Sequence, residues 1–318
     1  MSPTYPPKEK FIERMKLLLD GEEDLKTFFE VGKTRPKKAI RVNTIKISVE
    51  DLKKLLQKKN WEFHQPYKDH PEIIIIDSML EPGAVGKAVE HILGYYYVQE
   101  ITSMMPILAL NPQEDELLLD LCASPGSKTT QAASMMKNTG TIIANDVSGG
   151  RISILAANLE RCGVANTIVT LHNGFELGER LKKLNYQFDK ILLDAPCSGE
   201  GNVRNSPRTY LEWSEGLLKM LSRKQKKLAS IVADLLKKDG TLIYSTCTHA
   251  PEENEEIVQF LIDNYNMKIE PISLPLKTRP GITSWKKKIF HPSMKHAVRI
   301  YHHDNDLEGF FVCKLKKI

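Results

Sequence analysis

The sequence predicts an α/β fold, with a doubly wound, mostly parallel sheet over residues 106–318 and a small α+β module within residues 1–105. Three observations carry this expectation. Five short apolar runs, LLLDL (Leu117 to Leu121), TIIAND (Thr141 to Asp146), TIVTL (Thr167 to Leu171), KILLDA (Lys190 to Ala195) and GTLIYS (Gly240 to Ser245), are separated by helical segments. Strands of that kind, alternating with helices, belong in a parallel sheet covered on both faces. Upstream, strand-like and helix-like patterns alternate over a much shorter stretch. The 318 residues also exceed the ~250–300 at which single cores stop growing.

Taken in order, the first dozen residues carry Pro3, Pro6 and Pro7 and are expected to fray. Phe11 to Leu19 and Asp24 to Phe29 have helical apolar spacing and read as a short helical pair. Ala39 to Ile47 (AIRVNTIKI) alternates like a half-buried strand, Ser48 or Glu50 opens a helix reaching Lys59, and Ile73 to Ile76 is a buried strand. Strand, helix, strand suits a module of RNA-recognition topology, although no aromatic motif of that class is visible. After Tyr95 to Ser103 the pattern passes to the five runs above.

The net charge of +5 conceals an uneven distribution. Lys33 to Lys59 holds ten basic residues against Glu50 and Asp51, a net of +8, and Pro271 to His303 holds seven and no acid, a net of +7. With the total at +5, the rest of the chain is at −10. Two basic segments around an acidic middle suit a polyanionic partner; a solvated surface is the plainer alternative. Apolar stretches such as Ile73 to Ile76 are far shorter than the ~18–20 residues of a membrane span. MSPTYPPKEK has no apolar core of a secretory signal, so a cytoplasmic protein is expected; it is also expected to be monomeric. The five cysteines, odd in number and widely spaced, read as reduced thiols, and no C-x-x-C pair offers a metal site.

Parallel α/β sheets bind ligands at the carboxyl ends of their strands, and the polar residues gather there. The first run ends in Asp120 and enters CASPGSKTTQ, a tight loop containing Gly126 that leads into a helix near Lys128. It has neither the phosphate-loop nor the G-x-G-x-x-G pattern. The second run ends in Asp146, where Rossmann-like folds place the carboxylate that holds ribose hydroxyls; capping the next helix is the alternative role. The fourth and fifth runs lead into DAPCSGEG and STCTHAPEENE, so Asp194, Pro196, Cys197 and Cys247 stand just beyond strand ends. A lone cysteine is often a small buried apolar residue. Two in polar loops beside helix starts suit thiolate chemistry instead. Cys162 and Cys313, within a helix and a strand, read as structural.

DLCASPGSKTT, ANDVSGGR, DAPCSGEGNVR, STCTHAPEENE and the terminal GFFVCKL, together with RVN at Arg41 to Asn43 and YYYVQE at Tyr95 to Glu100, resemble the motif series of the Sun-type (NSUN) RNA cytosine-C5 methyltransferases. The likeness runs from about residue 40 to 315, and the compact form resembles the archaeal transfer-RNA members most. It implies S-adenosylmethionine as cofactor and RNA, transfer RNA first, as partner. Carried over, Cys122, Ala123, Ser124, Pro125, Gly126, Ser127 and Lys128 wrap the methionine and ribose, Asp146 takes the ribose hydroxyls, Arg151 supports the loop, and Asp194 closes the pocket toward the base. Asn173 departs from the pattern, which commonly has an acid there; its amide can still meet an adenine edge.

Carbon 5 of cytosine is too weak a nucleophile to attack a sulfonium methyl directly. A thiolate added at carbon 6 makes it an enamine carbon, and a base must later remove the carbon 5 proton. The residues alone leave open which cysteine attacks, because a Pro-Cys dipeptide such as Pro196-Cys197 carries the nucleophile in DNA cytosine methyltransferases. The resemblance implies that Cys247 attacks, Cys197 assists release and Asp194 binds N3 and the amine. Arg41, Arg204, Asn205, Lys286 and Lys287 are the expected RNA contacts. Lys219, Arg223, Lys224, Lys226 and Lys227 form a third basic face, read equally well as solvated helix or as RNA contact.

Overall fold

Helices α1 (Glu9–Leu18) and α2 (Glu22–Val31) open the computed structural model, which describes residues 5–318. The expected fraying of the first dozen residues falls partly on residues 1–4, outside the described residues, while the helix is already formed at Glu9. Phe11 of α1 sets its ring edge-on to Tyr210 at 5.4 Å and Trp213 at 5.5 Å, so the helical pair packs onto the segment that follows the Cys197 loop.

The small module runs β1 (Lys38–Val42), α3 (Val49–Lys58), β2 (Phe63–His64), β3 (Ile73–Ile76), the turns α4 (Ala84–Lys87) and α5 (Val89–Ile92), and β4 (Tyr96–Val98). Its antiparallel sheet has the order β2-β3-β1-β4, the split β-α-β arrangement the sequence pointed to. Ser48 caps α3 by accepting from the Asp51 N–H at 3.1 Å, and Leu52 and Leu56 bury against Ile40, Val42, Ile74 and Ile76. One expectation fails. AIRVNTIKI is not a half-buried strand through Ile47: β1 ends at Val42 and is buried on both faces. The second face, with Ala39, Arg41 and Tyr97, is closed against the larger domain.

The larger domain follows with α6 (Ile101–Leu110), β5 (Leu117–Asp120), α7 (Ser127–Met135), β6 (Thr141–Asp146), α8 (Gly149–Cys162), β7 (Thr167–Leu171), α9 (Gly174–Lys183), β8 (Phe188–Asp194), α10 (Thr209–Glu212), α11 (Glu215–Leu235) and β9 (Leu236–Thr246). The chain then adds α12 (Glu255–Tyr265), β10 (Met267–Glu270), β11 (Arg279–Pro280), a hairpin of β12 (Ser284–Trp285) and β13 (Lys288–Ile289), β14 (Val298–Ile300), α13 (His302–Asn305) and β15 (Phe310–Lys317).

Strands β7, β6, β5, β8 and β9 are mutually parallel, in that order, and all five match the apolar runs. The far edge is antiparallel: β15 pairs with β9, β14 and β10, and β14 pairs with β11. From β5 the chain winds first to β6 and β7, then returns to β8 and β9 on the other side. That reversal opens a crevice at the carboxyl ends of β5, β6, β8 and β9. Helix α6 is buried all round and packs on the sheet beside β8, β9 and β15, so the expected boundary at residues 105 and 106 falls inside it.

Candidate active site

The crevice is a cleft of about 240 Å³ lined by Cys122, Asp146, Asn173, Asp194, Cys197 and Cys247, among others. Gly126 ends its first loop with φ 101°, the left-handed region that favours glycine, and a Cβ there would also make Leu155 Cδ1, 2.9 Å away, shift. Arg151 fastens the loop: its Nη2 donates to Ser124 O at 2.7 Å and lies 3.3 Å from Asp146 Oδ2. In return, Ser124 Oγ donates to Arg151 O at 2.8 Å. Buried Asn145 ties three strand ends together, donating to Leu121 O and His172 O at 3.1 Å each.

Asp146 does part of the alternative job the sequence allowed it, since Oδ1 accepts from the Ser148 N–H at 3.1 Å ahead of α8. Asn173 caps α9 through Oδ1, which accepts from the Phe175 N–H at 3.0 Å, leaving its amide N–H₂ for the cleft it lines. Of the loop residues, Cys122 and Ser124 line the cleft, Ala123 is buried, and Pro125 is exposed, with its carbonyl accepting from Tyr97 Oη and Asn158 Nδ2. Gly126 and Ser127 begin α7. Burial pushes the Cys122 thiol up, so it is an apolar wall and not a nucleophile. A carboxylate at the end of β6 with apolar Leu121, Val147 and Leu228 around it fits an adenosine-bearing ligand.

At the other end of the cleft, Cys197 Sγ and Cys247 Sγ lie 3.3 Å apart. The hydrogen bond to Cys247, then burial and the nearby charges of Cys247 and Glu253, hold the Cys197 thiol well above the usual range. Asp194, half-buried beside them, accepts from Ser245 Oγ at 2.7 Å, and its other oxygen is 2.8 Å from Lys128 Nζ. Lys128 is therefore not part of the cleft wall expected of it. It is buried, donates to Ser103 Oγ at 2.9 Å and lies 5.4 Å from the Phe310 ring, because α7 packs on α6.

Two buried neighbours that sequence reasoning missed hold the cysteine loops. Glu253 accepts from Ser198 N at 3.1 Å, Ser198 Oγ at 2.5 Å and Gln225 Nε2 at 2.7 Å, and Gln225 also donates to Pro196 O at 3.0 Å. Burial raises the Glu253 carboxyl to about 7. Asn254 straddles the other cysteine, accepting from Thr246 Oγ1 at 2.6 Å and donating to Thr248 O at 2.9 Å. Their sequence signal was the PEENEE stretch, which reads equally well as the acidic first turn of a helix.

The expected RNA contacts separate. Arg41 is 3% exposed, and its guanidinium is spent on Gln99, Ser127 O and Thr130 Oγ1, which bolts the small sheet to α7. Arg204, also 3% exposed, clamps Thr34, Leu307 O and Asp306. Neither guanidinium reaches a surface that RNA could touch, because each is aligned with protein oxygens and closed over. Asn205, Lys286 and Lys287 are exposed, and Lys286 lies 5.8 Å from the Trp285 ring. The two basic segments are neutralised in part in three dimensions. Lys37, Lys53, Lys54 and Lys59 pair with Asp77, Glu50, Asp51 and Glu90. Lys277, Arg279, Lys288 and Arg299 pair with Asp304, Asp24, Glu256 and Glu255. No helix among the described residues is long and apolar enough to cross a membrane.

Residues 107–316 match the family described as 16S rRNA methyltransferase RsmB/F, and residues 7–101 match the N-terminal domain of 16S rRNA methyltransferase RsmF. The tRNA (cytosine(49)-C(5))-methyltransferase of Pyrococcus abyssi is 38% identical over 97% of this chain and 96% of its own length. Ribosomal RNA small subunit methyltransferase F of Vibrio parahaemolyticus is 35% identical over all of this chain, which spans 64% of that relative. Among solved structures, a methyltransferase homolog protein from Pyrococcus horikoshii superposes with a TM-score of 0.84 at 34% identity, covering 98% of this chain and 96% of that one. NSun6 from the same organism, solved with SFG, superposes at 0.83 and 26% identity, covering 98% of each chain. The chain belongs to the RsmB/F family of S-adenosylmethionine-dependent RNA methyltransferases.

Proposed function

We propose that the protein methylates carbon 5 of cytosine in transfer RNA through a covalent adduct between Cys247 and carbon 6 of the base. The observation that carries this is the pair of sulfurs 3.3 Å apart in one cleft with Asp194. The Cys197 thiol is held well above the usual range, first by its hydrogen bond to Cys247, and so is the poorer nucleophile of the two; the attack is assigned to Cys247. Its thiolate adds to carbon 6 and pushes electron density onto carbon 5. Asp194, held by Lys128 and Ser245, faces N3 and the amine of the base, and the ion pair with Lys128 fixes the carboxyl in place as charge develops on the ring.

S-adenosylmethionine, when bound, supplies the electrophilic methyl group; Cys122, Ser124, Asp146, Arg151 and Asn173 are the residues that would hold it. Once Cys247 is bonded to carbon 6, Cys197 has lost its hydrogen-bond partner and stands beside the bond that must break. Loss of the carbon 5 proton to solvent water at the open cleft then restores the double bond and expels the Cys247 sulfur as a thiolate, which the Cys197 thiol is placed to hydrogen-bond. The choice of transfer RNA is supported by the likeness to the Pyrococcus abyssi tRNA enzyme, 38% identical over 97% of this chain. Bisulfite sequencing of total RNA from cells with and without the gene tests the reading. Loss of a methylated cytosine in transfer RNA is expected; loss only in ribosomal RNA would overturn the substrate, and no loss anywhere would overturn the activity.

A further inference from the structure

Helix α11 carries Lys219, Arg223, Lys224, Lys226 and Lys227 within nine residues. Lys219, Arg223 and Lys227 recur every fourth residue and so share one face. Among the described residues none of the five makes an ion pair or a side-chain hydrogen bond. The acids that share a hollow with Lys219, Arg223 and Lys226 are already taken: Glu252 by Arg14 at 2.6 Å, Glu256 by Lys288 at 2.6 Å, and Glu215 by Lys10 at 3.8 Å and Lys286 at 3.9 Å. Like charges four residues apart weaken a helix, so the row is a cost to the free protein.

The face is also shaped and placed. Lys219, Met220, Arg223, Lys224 and Lys227 line a shallow depression of about 390 Å³. Lys224 is shared with the cleft that holds Cys197 and Cys247, so the row of cations begins at the mouth of the active site. Four residues of helix advance ~6 Å, comparable with the separation of neighbouring phosphates along an extended strand. In the two basic segments, by contrast, several cations meet an acid within the fold, Lys37, Lys54, Arg279 and Arg299 among them.

We propose that this face of α11 is the track on which the phosphate backbone of the RNA substrate lies beside the cleft, and that it, more than segments 33–59 and 271–303, sets the electrostatic part of binding. The inference rests on the RNA-methyltransferase reading above. Each phosphate neutralised contributes roughly 0.7–0.9 to the slope of log Kd against log salt.

The test is a titration of the full-length protein with an unmodified transfer RNA transcript across a salt series. Wild type is compared with Lys219→Gln/Arg223→Gln/Lys227→Gln and with Lys58→Gln/Lys287→Gln/Lys295→Gln, three exposed residues of the two basic segments. Lys224 is left in place because it lines the cleft. The α11 variant is expected to lose about 2–3 from the slope, with S-adenosylmethionine affinity unchanged and a thermal midpoint no lower than wild type; the second variant is expected to lose less than about 1. Lys219→Arg/Lys227→Arg is expected to keep the wild-type slope. An α11 variant with the wild-type slope, or a second variant that loses as much, overturns the track and leaves the methyltransferase reading standing. A wild-type protein that binds no RNA at any salt overturns both.

Discussion

The loops after β8 and β9 each bring one cysteine to the same point, but they are held by different chemistry. The Cys197 loop hangs on a carboxyl: Glu253 takes both the N–H and the hydroxyl of Ser198, and Gln225 bridges that carboxyl to Pro196 O. The Cys247 loop hangs on an amide, with Asn254 bonded to Thr246 on one side of the cysteine and Thr248 on the other. Glu253 and Asn254 are consecutive, so one turn of chain ahead of α12 sets the spacing of the two sulfurs. An amide is neutral at every working pH and holds the attacking sulfur rigidly. A carboxyl raised to about 7 titrates, so the loop of the releasing sulfur is the one whose support changes with pH.

Breaking the amide support should have the larger effect. Asn254→Ala leaves the Thr246 hydroxyl and the Thr248 carbonyl buried without their partner, at a cost of about 2–4 kcal/mol in a urea or thermal unfolding measurement. Misplacing Cys247 by an ångström should lower kcat about 100-fold. Glu253→Gln should do less, because the Ser198 hydroxyl can turn toward Thr248 Oγ1, 2.8 Å away. Stability should fall by about 1 kcal/mol and turnover several-fold, with adduct formation less affected than release. Equal effects of the two variants on adduct formation would erase the distinction.

The smallest effect sharpens it through pH. The unfolded Glu253 carboxyl has the ordinary value of 4.5 and the folded one about 7, so from pH 4.5 to 7 the folded state holds a proton that the unfolded chain has lost. Stability from this group is full below 4.5 and declines as pH rises toward 7. Asp120, raised by burial to about 7, titrates in the same window, so the informative quantity is wild type minus Glu253→Gln. That difference should shrink by about 1–3 kcal/mol between pH 5 and pH 7.5 in chemical denaturation. A difference independent of pH would mean that Glu253 is ionised in the fold throughout.

Much of the frame was legible because a buried parallel strand must be a short apolar run, whoever its neighbours are. Helix α6 was not, since ITSMMPILAL is apolar on every side and shows no helical period, and Pro106 interrupts it. The antiparallel edge escaped in part because β11, β12 and β13 are two residues each, too short for any period. In the site, the cysteines, Asp146 and Asp194 were readable from their positions at strand ends. The charges were not. Arg279 meets Asp24 across 255 residues of sequence, and counting charges along the chain cannot see that partner. Arg41 and Arg204 look like surface cations in sequence, yet each is buried as a clamp on protein oxygens.

The central claim is that the two adjacent sulfurs have separate tasks, and trapping the adduct tests it most directly. Purified Cys197→Ala and Cys247→Ala proteins are incubated with transfer RNA transcript and S-adenosylmethionine and run on a denaturing gel. The account predicts a slow-migrating protein–RNA band for Cys197→Ala and none for Cys247→Ala. A band from Cys247→Ala and none from Cys197→Ala would contradict it and assign the attack to Cys197.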